Sequence, residues 1–89
     1  MAERVSRDVI KPEVLEVLAA VARKPQNSIR ETTDLWKDLG FSSNLKSALA
    51  HSYTKISKKH GGVFVTQSAA GKCTTVKDAI DLTYKQANA

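Results

Sequence analysis

Cys73, His51 and His60 are the residues of this chain whose side chains could attack a carbon centre or hold a metal. A cysteine needs an adjacent base to become a thiolate nucleophile, and a zinc site needs four closely arranged ligands. Three candidate ligands without close spacing meet neither requirement, so Cys73 is expected to pack as a small apolar side chain and no metal is expected. Gly71-Lys72-Cys73-Thr74 has the tail of a phosphate-binding loop, but Thr66 stands where the first glycine is needed and Cys73 where Ser or Thr is needed. That match fails. Ser42, Ser43 and Asn44 follow Leu39-Gly40-Phe41, and each can cap a helix by accepting its first free N–H groups.

Charge is the second chemical signal. The 89 residues carry a net charge of +5, from 14 Lys+Arg and 9 Asp+Glu. The 39 positions from Leu39 to Lys77 hold no carboxylate but six lysines (Lys46, Lys55, Lys58, Lys59, Lys72, Lys77) and both histidines. Such a stretch suits an acidic protein, an anionic surface or nucleic-acid phosphates. All four arginines, Arg4, Arg7, Arg23 and Arg30, precede it, so it contains no guanidinium fork to grip a guanine edge. Tyr53 falls on an apolar stripe and aromatic side chains are scarce, which disfavours base stacking. Lysines alone give weak, salt-sensitive binding that is blind to sequence.

These residues must be positioned by helices. After Pro12, Val14, Leu15, Val17, Leu18 and Val21 recur at helical spacing. This predicts a first helix from about Ser6 or Pro12 to Arg23, with Pro12 in its first turn and Pro25 ending it. A long polar connection follows to Lys37, in which Ile29, Leu35 and Trp36 are expected to anchor the loop on the core. Gly40 breaks the chain before a second helix. There Leu45, Leu49, Tyr53 and Ile56 form one stripe, opposite Ser47, His51, Thr54, Lys55 and Lys58. Gly61-Gly62 stops it. Val63-Phe64-Val65 has no second strand to pair with and is read as an extended connector, and Gln67 to Gly71 as one helical turn. Thr75 and Asp78 match a capping box that opens a last helix, with Val76, Ala79, Ile80 and Thr83 inward. The expectation is an all-α single domain over residues 1–89, a bundle of three main helices plus a short third helix or loop. Residues 1–5 and 86–89 are expected to fray.

The length admits one small core and excludes a barrel or a dinucleotide-binding domain. The longest apolar runs are far too short to span a bilayer, and the first residues lack the apolar core of a signal peptide. With one cysteine, the chain suits a reducing compartment, and a cytoplasmic monomer is expected.

Asp34-Leu35-Trp36-Lys37-Asp38-Leu39-Gly40-Phe41-Ser42-Ser43 resembles the segment before the second helix of acyl carrier proteins, where a Leu-Gly-x-Asp-Ser-Leu motif presents a modified serine. Thr74-Thr75-Val76-Lys77-Asp78-Ala79-Ile80-Asp81 resembles the family's last helix. The likeness covers about residues 29–85. It implies an acyl-carrier-like four-helix bundle with 4′-phosphopantetheine on Ser43, or alternatively on Ser42. The arm's thiol would carry acyl groups as thioesters between acyl-transferring or condensing enzymes, and the chain would not itself be an enzyme. Lys46, His51, Lys55, Lys58 and Lys59 are the residues expected to meet those partners or another acidic protein surface. Ser42 stands where the family has an acidic residue, Asn44 where it has a leucine, and the second helix is cationic where the family's is usually acidic. The stretch from Ser43 to Thr74 also exceeds the family's norm by a few residues. The alternatives are a carrier fold without the arm, serving as an interaction module, and a lysine-driven binder of nucleic acid or an anionic surface.

Overall fold

A computed structural model describes residues 4–89. Five α-helical segments follow in order: α1 (Arg7–Ala22), α2 (Ser43–Ala48), α3 (Ala50–Lys59), α4 (Gln67–Gly71) and α5 (Val76–Ala87), with a 3-10 turn at Gln26–Ser28. The fold is all-α. Among the described residues the only extended pairing is an isolated bridge between Asp34 and Thr75. Among the described residues no helix is long and apolar enough to cross a membrane.

Helix α1 takes the earlier of the two expected starts, at Ser6, which leaves Pro12 outside the first turn. Ser6 is its N-cap residue, in an extended conformation, so Pro12 is the sixth helical residue. There the ring removes the bond that an N–H would give to the carbonyl of Asp8. The helix persists because Ile10, Val14 and Leu18 are fully buried on one face, with Ala19 beside them. Leu15 and Val17 are half-buried against the core, whereas Val21, expected inward, is exposed near the helix end. Arg23 closes the helix in the left-handed region (φ 58°), two residues before Pro25.

The second helix is broken rather than continuous. Leu49 occupies a turn residue between α2 and α3, and its own N–H still bonds the carbonyl of Leu45 at 3.0 Å. The expected stripe is otherwise realised: Leu49, Tyr53 and Ile56 are buried and Leu45 packs partly buried against them. Truncating Tyr53 to Ala would remove a large buried ring, at a cost of about 3–5 kcal/mol. Helices α1, α3 and α5 pack on one another, while α4 lies against α2 and α3.

Beyond α3, Gly61 takes the left-handed conformation (φ +84°) that ends the helix, and Gly62 brings the chain against α5. Residues 62–66 form the expected extended connector. The Thr54 hydroxyl accepts the Val65 N–H (2.8 Å) and donates to its carbonyl (3.3 Å), and the Ser57 hydroxyl donates to the Val63 carbonyl (2.6 Å). The capping box of α5 is present, with the Thr75 hydroxyl accepting the Asp78 N–H and Asp78 Oδ2 accepting that of Thr75.

The described ends are tied together where fraying was expected, residues 1–3 lying outside the described residues. Asn88 Oδ1 accepts the backbone N–H groups of Arg4 and Val5, and its amide donates to the Val5 carbonyl at 3.0 Å. The Arg4 guanidinium donates to the carbonyls of Gly61 (2.9 Å) and Ala87 (2.8 Å). A cation at the C-terminal end of α5 also suits that helix's dipole.

Ion pairs join α1 to the rest. Arg7 bonds Glu31 (2.5 Å) and Asp81 (2.7 Å), Lys11 approaches Glu31 (3.1 Å), and Glu13 receives both Lys59 and His60, the latter at 2.6 Å. Hydrogen bonds from Arg7 and then Lys11 hold the Glu31 carboxyl down at about 2, from an ordinary 4.5. Glu13 is also held below its ordinary range: burial acts to raise it, but the bonds from Lys59 and His60 outweigh that.

Two outcomes follow from this frame. A Cβ on Gly62 would lie 2.2 Å from the Gln86 carbonyl oxygen and 2.4 Å from Ala87 Cα, so Gly62→Ala is expected to lower stability in urea denaturation by about 1–3 kcal/mol or more. Because Glu31 is depressed in the folded state, its stabilisation is complete above pH 4.5 and is lost as pH falls through about 2. Acid titration of unfolding midpoints should therefore show a shallower decline over that window in Glu31→Gln, which starts from lower stability at neutral pH. A decline as steep as that of the unaltered protein would remove Glu31 from the account.

Candidate functional site

The start of α2 is positioned from both sides. Upstream, Asp34 Oδ1 accepts the N–H groups of Trp36 (2.8 Å) and Lys37 (2.7 Å), and Asp38 Oδ2 accepts that of Asp34 (2.7 Å). The bonds from Lys37, then Trp36, hold the Asp34 carboxyl below its ordinary range. Gly40, at φ +72°, turns the chain and donates to the Trp36 carbonyl (2.9 Å). Phe41 is then buried, its N–H bonded to the Leu35 carbonyl (2.9 Å). Ser42, Ser43 and Asn44 emerge together as exposed residues directly after this buried ring.

The two serines have separate roles in the helix start. Ser42 is the N-cap residue, and its Oγ accepts the N–H of Leu45 at 3.2 Å. Ser43 is the first helical residue, exposed, and its hydroxyl has no hydrogen-bond partner among the described residues. The capping function open to Ser42, Ser43 or Asn44 thus falls to Ser42.

The five residues expected to face partners divide into two sets. Lys46 is half-buried and donates to the Cys73 carbonyl (3.2 Å), which ties α2 to the approach to α5. Lys59 is turned toward α1 by its ion pair with Glu13. His51, Lys55 and Lys58 are exposed and have neither hydrogen bond nor ion pair among the described residues.

Cys73 is buried, with its Sγ 3.7 Å from the Ala69 carbonyl, and burial pushes its thiol up to about 11. Such a thiol is protonated at neutral pH and is a poor nucleophile. His60 belongs to the Glu13 pair, and no group of three His, Cys, Asp or Glu among the described residues could hold a metal. Burial likewise raises the Tyr53 hydroxyl far above its ordinary range. An open groove of about 660 Å³ lies elsewhere, between α1 and the 26–32 segment, over Leu15 and Ile29 with Lys11, Arg30 and Glu31 around them.

Two aromatic side chains are exposed, and one of them, Trp36, departs from the expected pattern. Ile29 and Leu35 are buried as expected, but Trp36 is 59% exposed. The Asp34-centred turn points consecutive residues in opposite directions, and Leu35 takes the inward position. Phe64 is 60% exposed while Val65 beside it is buried. Val63 before it is also exposed, at 41%, so of the triplet Val63-Phe64-Val65 the last residue alone is sunk into the core.

Comparison with family models, with curated proteins and with solved structures finds no match to this chain.

The split between the serines is measurable. Ser42→Ala should cost about 1 kcal/mol in urea denaturation through loss of the cap, and Ser43→Ala should stay within about 0.5 kcal/mol of the unaltered protein. Equal losses would show that both hydroxyls serve the helix.

Proposed function

We propose that the chain is an acyl-carrier-like four-helix bundle that bears 4′-phosphopantetheine on Ser43 and presents acyl groups to partner enzymes. In this reading α1 is the first helix, α2 and α3 together the second, α4 the short third and α5 the last. The single observation that carries it is the Ser43 hydroxyl, exposed at the first residue of α2 and free of any structural bond, beside a serine that already supplies the cap. A serine consumed in capping would have to give up that bond to be modified. Ser43 does not.

The surroundings suit a phosphodiester. Ser43 is accessible to a transferase because Phe41 is sunk into the core and residues 42–44 stand clear of it. Lys46, held three residues on, places a cation within one turn of the site. The described carboxylates nearest in sequence, Asp34 and Asp38, are occupied with backbone N–H groups. When attached, the arm supplies a thiol that forms thioesters, and the chain's own part is to hold the anchor, exclude it from the core and display it. Partner enzymes approach across the second helix, whose exposed face carries His51, Lys55 and Lys58.

Incubation with coenzyme A and a broad-specificity phosphopantetheinyl transferase, read by intact mass, tests this. One phosphopantetheine adduct is expected on the unaltered protein and on Ser42→Ala, and none on Ser43→Ala. An adduct that survives Ser43→Ala would move the site. No adduct across several transferases would favour the carrier fold without an arm, acting as an interaction module.

A further inference from the structure

The exposed face of α3 and the connector beside it present one aromatic side chain together with unpaired cations, and nothing in the packing of the fold calls for either. His51, Lys55 and Lys58 lie at i, i+4 and i+7, on one line about 10 Å long. Glu16 of α1 acts on Lys59, but no described carboxylate forms an ion pair with His51, Lys55 or Lys58, and six are engaged elsewhere. Glu13, Glu31 and Asp81 are in ion pairs with Lys59, His60, Arg7 and Lys11, and Asp34, Asp38 and Asp78 accept backbone N–H groups.

The connector that carries Phe64 runs along α3. The connector is bonded to Thr54 through Val65 and to Ser57 through Val63, the residues immediately preceding Lys55 and Lys58. From the other side Gln86 of α5 holds it, its side chain donating to the Phe64 carbonyl (2.9 Å) and its carbonyl accepting the Val63 N–H (3.0 Å). The backbone around Phe64 is therefore fixed by two helices, while the ring itself is 60% exposed. A large apolar side chain held out on a fixed backbone loses little freedom on binding. An aromatic anchor rimmed by charges is also the usual composition of a protein-binding hot spot.

We infer that Phe64, His51, Lys55 and Lys58 form a docking surface for an acidic protein partner, with Phe64 entering an apolar pocket and the cations meeting carboxylates around it. This rests on the carrier reading only for the idea that a partner approaches the second helix; the surface does not include Ser43. An anionic membrane is a poorer occupant, because the apolar stripe of α3, Leu49, Tyr53 and Ile56, faces the core and leaves no apolar helix face to lie in lipid. Nucleic acid is also poorer, because the line holds no arginine and the connector along α3 carries one aromatic ring.

The test titrates the isotopically labelled protein, at near-physiological salt, with three probes. They are a glutamate-rich amphipathic helical peptide, a mixed-sequence single-stranded DNA, and phosphatidylcholine vesicles containing phosphatidylserine. Binding of the peptide should shift amide resonances within residues 51–58 and 63–65. Phe64→Ala, and separately Lys55→Glu with Lys58→Glu, should each weaken it about tenfold or more. Arg23→Glu with Arg30→Glu, at the end of α1 and in the first loop, should leave it unchanged. Ser43→Ala should bind as the unaltered protein does, so failure of the arm and failure of the surface are read separately. The inference is overturned by no peptide binding, by shifts outside these residues, by indifference to Phe64→Ala, or by tighter binding of DNA or vesicles through the same residues.

Discussion

The structure depends on the pairing of the first loop with the start of α5. Val76 donates to the Thr33 carbonyl (3.0 Å), Leu35 to the Thr74 carbonyl (2.9 Å) and Lys77 to the Glu31 carbonyl (2.9 Å). These three bonds join chain segments some forty residues apart, and two of them, from Val76 and Lys77, satisfy N–H groups that the first turn of α5 cannot satisfy itself. They set Leu35 into the core, and Leu35 in turn receives the N–H of Phe41. From Phe41 the start of α2 follows directly. The position of Ser43 is thus determined by α5 as much as by its own helix.

The same economy governs charge. The short acidic side chains of Asp34, Asp38 and Asp78 serve as backbone acceptors in the first loop and at the start of α5, whereas Asp81 pairs with Arg7 of α1. Longer ones cross between elements, as Glu13 and Glu31 do from α1 and the first loop. Both uses withdraw negative charge from the surface. The stretch from Leu39 to Lys77 has no carboxylate to begin with, and among the described residues the fold brings an ion-pair partner to Lys59 but none to Lys55 or Lys58. A compositional asymmetry has become a spatial one, with Lys46 and Lys59 retained for tertiary bonds and Lys55 and Lys58 left to solvent.

Periodicity made the helices legible because burial is regular along them: Ile56 and Tyr53 are inward, Lys55 and Lys58 outward, and the Thr75–Asp78 box marks a start. It could not show the turn at Leu49, since Leu45, Leu49 and Tyr53 keep their spacing across a break one residue long. Nor could it place Pro12, because the helix extends backward over Asp8, whose carbonyl can do without its partner at the solvent side. The irregular segments were least legible. Trp36 and Leu35 are adjacent large side chains with apolar bodies, and the turn held by the hydrogen bonds around Asp34 puts Leu35 in the core and leaves Trp36 out. For the candidate site, sequence identified the serine pair but could not divide their roles, since either hydroxyl can cap a helix in this position.

That division has a physical cause in the residues before it. Gly40 takes a left-handed conformation, which lets Phe41 turn inward, and with Phe41 buried the next residue must be extended to leave the core. Ser42 is that extended residue (φ −67°, ψ 167°), and an extended residue at a helix start is the one whose side chain reaches back to the first free N–H groups. Ser43 is already helical, and the cap bond is made by Ser42 in its place. A buried aromatic at 41 therefore commits 42 to capping and releases 43, whatever the second serine is then used for. The unoccupied hydroxyl is a consequence of the loop's packing and not of any choice at position 43 itself.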